Sequence, residues 1–271
     1  MPPVPPNVVS RAISRLRELQ HRYNAISGPT LAGGVTLYGF LALFALLVLG
    51  IAILGFVSAD NSHLAQDITA ELGLTGQAAR IITDSVNAAQ QSRSLASVVG
   101  VVGLLWLGTS FALVVANAFD AAWRVPGRGL RDRAWGLVWL FGAAVLLGIA
   151  GLATASWDLL PTAFAPLVVV ISLAANAALW MWTSWILPNR DVGWRILVVP
   201  ALLAAVALEV LKVAGAYIVP GYVERSSELY GTIGVVFAIL LWLLVLGRVV
   251  VYLAVIEAWR DERTRPVPIL E

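Results

Sequence analysis

The sequence predicts an all-α integral membrane protein: a bundle of six transmembrane helices with a short external helical segment and both termini in the cytoplasm. Three observations carry this expectation. The 271 residues are 59% hydrophobic and only 13% charged, with a mean hydropathy of +0.84, far from the composition of a soluble domain. Several apolar runs exceed the ~20 residues that a helix needs to cross ~30 Å of hydrocarbon. They are continuous rather than alternating, so helices, not barrel strands, satisfy their backbone. Third, the arginines are sorted. Arg11, Arg15, Arg17 and Arg22 precede the first span, and Arg124, Arg128, Arg131 and Arg133 lie between the second and third. Arg190 and Arg195 flank the fourth connection, and Arg260, Arg263 and Arg265 follow the last span. In a six-span drawing these share one side, against Arg80, Arg93 and Arg225 on the other. By the positive-inside rule the richer side, with both termini, is cytoplasmic.

Taken in order, residues 1–33 form a cytoplasmic start. The opening MPPVPPNVV is extended, because proline cannot enter a helix interior. In SRAISRLRELQHRYN, Arg11, Arg15, Glu18 and Arg22 share one helix face while Ile13, Leu16 and Tyr23 define another. This is a short basic amphipathic helix, suited either to anionic headgroups or to fixing topology from solvent. Residues 34–258 form the membrane domain, with spans Gly34–Val57, Leu95–Ala121, Trp135–Ser156, Ala163–Leu187, Arg195–Val219 and Gly231–Ala258. The external segment, residues 58–94, carries Leu64, Ile68 and Leu72 at one spacing, then GLTG, then Ala78, Ile82 and Val86. That pattern predicts two short amphipathic helices outside the membrane. Residues 259–271 form a cytoplasmic tail. Gly100 with Gly103, and Gly148 with Gly151, allow helices to approach closely. Trp180, Trp182 and Trp185 fit an aromatic belt at a membrane interface.

The charges inside the spans are the candidates for function. Glu209 and Lys212, the latter the single lysine, lie three residues apart in the fifth span and so on one helix face. An unpaired charge at that depth costs about 2.5–3.5 kcal/mol on insertion scales, so the two are expected to pair. Arg248 in the sixth span is placed by helical rise at a similar depth. Together they would leave one positive charge for an anionic or amphiphilic substrate. Asn176, Thr109, Ser110 and Asn117 add uncharged polar groups at membrane depth, with Ser172 a turn from Asn176. Glu257 is placed at the interface, where a carboxylate is cheap.

Other classes of function find little support. With no cysteine, disulfides, thiolate metal sites and thiol catalysis are excluded. His63 and Asp67 are four residues apart but lack further ligands, and no metal site and no cofactor is expected. No nucleophile with its base and no paired catalytic carboxylates appear, so an enzyme is not expected. The use of arginine over lysine marks composition bias, not binding of nucleic acid. Membrane lipids are the expected partners. A transporter or lipid-translocating permease competes with a structural role in the envelope.

The segments SGPTLAGGVTLYGFLALFALL, LLWLGTSFALVVANAFDAAWRV and ELYGTIGVVFAILLWLLVL, in this order and spacing, resemble the YihY/BrkB family of bacterial inner-membrane proteins. The resemblance runs from Ser27 to Ala258. It implies a six-helix protein with cytoplasmic termini in the bacterial inner membrane. Members are associated with serum resistance or virulence, are often supposed to be transporters, and some carry an old label of transfer-RNA-processing ribonuclease. Two positions depart from the family pattern. Ala45 follows Leu43 and Phe44 where the family has proline, and Val255-Ile256-Glu257 stands where it reads Gly-Ala-Glu.

Overall fold

The computed structural model describes residues 8–60, 76–155, 165–190, 193–230 and 232–264. All the regular structure among them is helical, in seven helices. These are α1 (Val8–Ala25), α2 (Gly28–Asp60), α3 (Gly76–Trp123), α4 (Arg131–Ala155), α5 (Ala165–Ile186), α6 (Trp194–Tyr230) and α7 (Thr232–Thr264). Five contain stretches long and apolar enough to cross a membrane: Gly28–Ile53, Ser94–Trp123, Arg131–Ile149, Trp194–Gly215 and Val236–Arg263. In α5 the apolar stretch is shorter, Val170–Ile186.

The chain divides into two compact units, residues 39–109 and the remainder. In the smaller unit Gly100 lies against the backbone of Leu49, so close that a Cβ would come within 2.9 Å of its Cα. Gly103 meets the methyl of Ala45 at 3.5 Å from its own missing Cβ. The expected close approach is therefore realised there, and α2 runs unbroken through Ala45. Gly148, by contrast, faces open space and brings no helix close.

In the larger unit α6 packs along both α5 and α7, α4 packs on α5, and α1 lies on α7. Small side chains line these seams. Ala112 and Ala116 of α3, Ala201 and Ala204 of α6 and Ala254 and Ala258 of α7 are all buried, around Phe119, Trp180 and Leu197. In lipid no hydrophobic gradient drives helices together, so backbone approach and dispersion must do it, and alanine permits both. The outward faces are correspondingly apolar and exposed, as at Phe141, Leu147, Leu202 and Val210. At the α2–α7 crossing Gly247 has no room for a side chain: a Cβ would lie 2.7 Å from the Ala32 carbonyl oxygen. The Thr36 hydroxyl donates to the Ala32 carbonyl of its own helix at 2.7 Å and lies 3.3 Å from the Leu243 carbonyl across the same crossing.

Helix α1 confirms the reading of SRAISRLRELQHRYN as a helix and gives it a partner. Arg22 pairs with Glu262 at 2.7 Å, Arg263 with Glu18 at 3.0 Å, and Trp259 donates to Glu18 at 2.8 Å. The Tyr23 and Tyr252 rings stack with centroids 4.1 Å apart. A turn at Ser27, with φ of 56°, then starts α2.

Two expectations about boundaries need correction. Residues 76–94 are not a separate external helix; they are the start of α3, continuous with the second span. No glycine or proline interrupts the chain between Gly76 and Gly100, so nothing stops the helix. At 48 residues α3 is about 72 Å long, far more than a bilayer needs. Likewise α6 passes Pro220 and ends at Tyr230 rather than Val219. A proline forfeits one backbone bond, which a long helix tolerates. The first external helix, with His63 and Asp67, lies outside the described residues.

Candidate functional site

Helices α5 and α6 bring four of the polar residues together. Glu209 accepts at one carboxylate oxygen, Oε2, from the Ser172 hydroxyl at 2.9 Å and the Asn176 amide at 3.1 Å. The Lys212 ammonium reaches the same oxygen at 2.9 Å and also donates to Ser172 Oγ at 2.6 Å. Ser172 therefore accepts from the cation and donates to the anion, closing a triangle. The spacings explain it: Ser172 and Asn176 are one turn apart on α5, and Glu209 and Lys212 one turn apart on α6. Glu209 is about 22 Å along α6 from Trp194, within the apolar stretch. Its side chain is 21% exposed and that of Lys212 57%. Three donors thus fix the carboxylate while the ammonium keeps a free face.

The other candidates are not in this cluster. Arg248, placed beside Glu209 by counting residues, is not among the groups that hold that carboxylate; it is exposed on α7, one turn before Tyr252. On that part of α7 it is α1 that docks, through the Tyr23–Tyr252 stack. Burial, then the neighbouring Tyr252, raise the Tyr23 phenol above its ordinary pKa, and Arg248 opposes them. Thr109 turns its hydroxyl back onto its own helix, to the carbonyls of Leu105 and, at 3.0 Å, Trp106. Ser110 is half-buried and Asn117 exposed on α3.

A second polar cluster was not foreseen. Glu257, expected where a carboxylate is cheap, is instead fully buried among side chains. Its Oε2 accepts from Ser184 Oγ at 2.8 Å and Trp180 Nε1 at 3.2 Å, while Oε1 has no partner. Trp180 is thus buried against Glu257, and Trp182 is half-buried with its Nε1 donating to the Trp139 carbonyl at 3.1 Å. Trp185 alone of the three is exposed. One turn past Glu257, the fully buried Asp261 pairs with Arg190 at 3.0 Å, whose guanidinium lies over the Trp123 ring at 4.7 Å.

Nearby, Asp120 accepts the Asn189 backbone N–H at 2.7 Å. Arg128 donates to Asn189 Oδ1 at 3.0 Å, to the Ile186 carbonyl at 3.2 Å and to the Pro188 carbonyl. It thereby caps the orphan carbonyls that end α5, where a cation also suits the helix dipole. Arg128 and Arg190, from two separate connections, thus tie helix ends of the larger unit together. Among the described residues no three His, Cys, Asp or Glu side chains are grouped as metal ligands.

Apolar, membrane-length helices with a paired charge fixed between two of them define a polytopic membrane protein. The chain belongs to the virulence factor BrkB family, whose profile it matches over residues 19–268. It is 25% identical over 242 residues to the inner membrane protein YhjD of Escherichia coli (strain K12), covering 79% of this chain and 72% of that protein. It is 28% identical over 257 residues to a UPF0761 membrane protein of Ralstonia nicotianae, covering 86% of this chain but 56% of that longer one. An uncharacterized protein of Dickeya dadantii is 24% identical over 280 residues, 93% of this chain and 85% of its own length. No solved structure matches.

Proposed function

We propose that the protein is a permease of the bacterial cytoplasmic membrane, with six spans and cytoplasmic termini, that moves an anionic amphiphile past the Glu209–Lys212 site. The single observation behind this reading is the free face of the Lys212 ammonium inside an apolar stretch. A cation used only as internal glue would be enclosed by its partners; this one is held by Ser172 and Glu209 and still open on the other side. The adjoining surface suits a hydrocarbon chain. An apolar groove of about 330 Å³ between α6 and α7 begins at Leu211, the neighbour of Lys212, and continues along Ala214, Ile218, Leu241 and Trp242. A negative headgroup at Lys212 with its chain in that groove would satisfy both features. No catalytic step belongs to this reading.

The saturated Glu209 favours a second reading. Three donors on one carboxylate oxygen fix the register of α5 against α6, as a purely structural tie would. The two readings part in reconstituted vesicles. Translocation of labelled anionic lipid should fall to the empty-vesicle level with Lys212→Met while the variant remains monodisperse. A parent protein that moves neither anionic nor zwitterionic lipid, with or without ion gradients, refutes the permease and leaves the tie.

A further inference from the structure

We propose that two apolar slots on the outward side of α4, α5 and α6 seat the chains of an anionic phospholipid whose headgroup is held by Arg195, a site separate from the Glu209–Lys212 pair.

The slots lie side by side at Trp182. One, of about 610 Å³, runs along α4 through Leu137, Phe141, Gly142 and Val145. The other, of about 370 Å³, is lined by Ala178 and Met181 of α5 and by Trp194 and Leu197 of α6. Leu146 and Trp182 border both, so the two share a wall. That wall is fixed without any lipid. Trp182 Nε1 donates to the Trp139 carbonyl at 3.1 Å, and Gly142 makes room for its ring, which a Cβ there would overlap. Phe141, Val145 and Ala178 are exposed, so both slots open outward from the protein. Two adjacent slots with one ridge between them match a lipid with two chains.

The second slot opens at the end of the apolar stretches. Trp185 borders it one residue before Val170–Ile186 ends, and Trp194 borders it where Trp194–Gly215 begins. These indoles are 60% and 63% exposed, so more than half of each stands outside the protein, as tryptophan does in a headgroup layer. From Trp185 to Ala178 the slot reaches about 10 Å into the span.

Arg195 stands at that mouth. Its guanidinium lies 5.4 Å from the centroid of the Trp194 ring that borders the slot. The arginine is exposed and makes no hydrogen bond or ion pair among the described residues. Stacking on an indole occupies one face of a guanidinium and leaves its N–H edge free, the edge that grips a phosphate bidentately. An open cation above apolar walls selects a negative headgroup carrying hydrocarbon. A zwitterionic headgroup gains less, because it brings its own cation to the same arginine.

The test uses the full chain in neutral detergent, titrated with phosphatidylglycerol, with phosphatidylcholine of the same chains and with glycerol 3-phosphate, and scored by native mass spectrometry. Phosphatidylglycerol should bind about fivefold more tightly than phosphatidylcholine, the worth of one arginine at an anionic headgroup. Arg195→Gln should bring the two close to parity, also on a Lys212→Met background, which sets the other site aside. Ala178→Leu fills the second slot and should weaken both lipids about fivefold while keeping their ratio. Equal binding of the two lipids by the parent, an undiminished preference in Arg195→Gln, or undiminished binding by Ala178→Leu overturns the proposal. Displacement of the lipid by millimolar glycerol 3-phosphate overturns the slots as part of the site. Should Ala178→Leu not be recovered folded, Phe141→Ala, which removes an exposed wall of the first slot, takes its place, and unchanged binding is then the overturning result.

Discussion

Removing Glu209 should cost more than removing Glu209 and Lys212 together. In Glu209→Ala the Ser172 hydroxyl, the Asn176 amide and the Lys212 ammonium all lose their acceptor. At the ~0.6 kcal/mol that hydrogen bonds average inside membrane proteins, those losses come to about 2 kcal/mol. The orphaned ammonium adds to this. Its full cost at a helix centre would be about 2.5–3.5 kcal/mol, reduced here because the Lys212 side chain is more than half exposed and can extend toward water. Glu209→Ala should therefore destabilise by about 3 kcal/mol. In the double variant the orphan is gone, and the cost should fall back by about 1–2 kcal/mol, the range of coupling for groups in contact. Reversible unfolding of the detergent-solubilised protein in dodecyl sulfate, followed by circular dichroism across the four-member cycle, reads this coupling. Additive effects, within the ~0.3 kcal/mol expected of independent sites, would refute the argument that the pair is a unit.

Three further outcomes follow from the geometry. Arg190→Ala strips the fully buried Asp261 of its cation and should cost about 3–5 kcal/mol, partly restored by adding Asp261→Asn; equal stability of the two variants would show that the carboxylate does not need the charge. Gly247→Ala forces a methyl onto the Ala32 carbonyl and should destabilise by about 1–3 kcal/mol, whereas Gly50→Ala, with open space around it, should be neutral or slightly stabilising; thermal unfolding that ranks them the other way would refute the crossing. With no native cysteine, a thiol introduced at Ser85 should react with an impermeant reagent outside intact cells and one at Arg131 should not, and the reverse pattern would invert the topology proposed above.

How far the sequence could be read depended on whether a feature was local. The Glu209–Lys212 pair was legible because a separation of three residues puts two side chains on one helix face whatever surrounds them. Its partners Ser172 and Asn176 were visible as polar residues, but their alignment with Glu209 depends on the rotation of α5, which no local rule fixes. Glu257 was misread for the same reason. Its depth alone suggested an interface, yet it faces α5 and not solvent. A signal was available: Glu257 and Asp261 are one turn apart, as are Trp180 and Ser184, and matching polar stripes on two apolar helices point to a shared seam. The docking of α1 one turn from Arg248 had no local signal either, because it is set by contacts more than 200 residues apart in sequence. The unbroken α3 was misread as a separate external helix followed by a span, although a local signal was present: neither glycine nor proline stands between Gly76 and Gly100.

The clasp between α1 and α7 also orders events during synthesis. Glu18 meets Trp259 and Arg263 across separations of 241 and 245 residues. Helix α1 thus waits for α7, made more than 200 residues later, before it can settle. Until then its aromatic and charged groups have no docking surface, and a nascent chain halted anywhere before Trp259 presents α1 unbound. Closure of the clasp therefore marks the completion of α7, and a product that stops short of it leaves the docking face of α1 open.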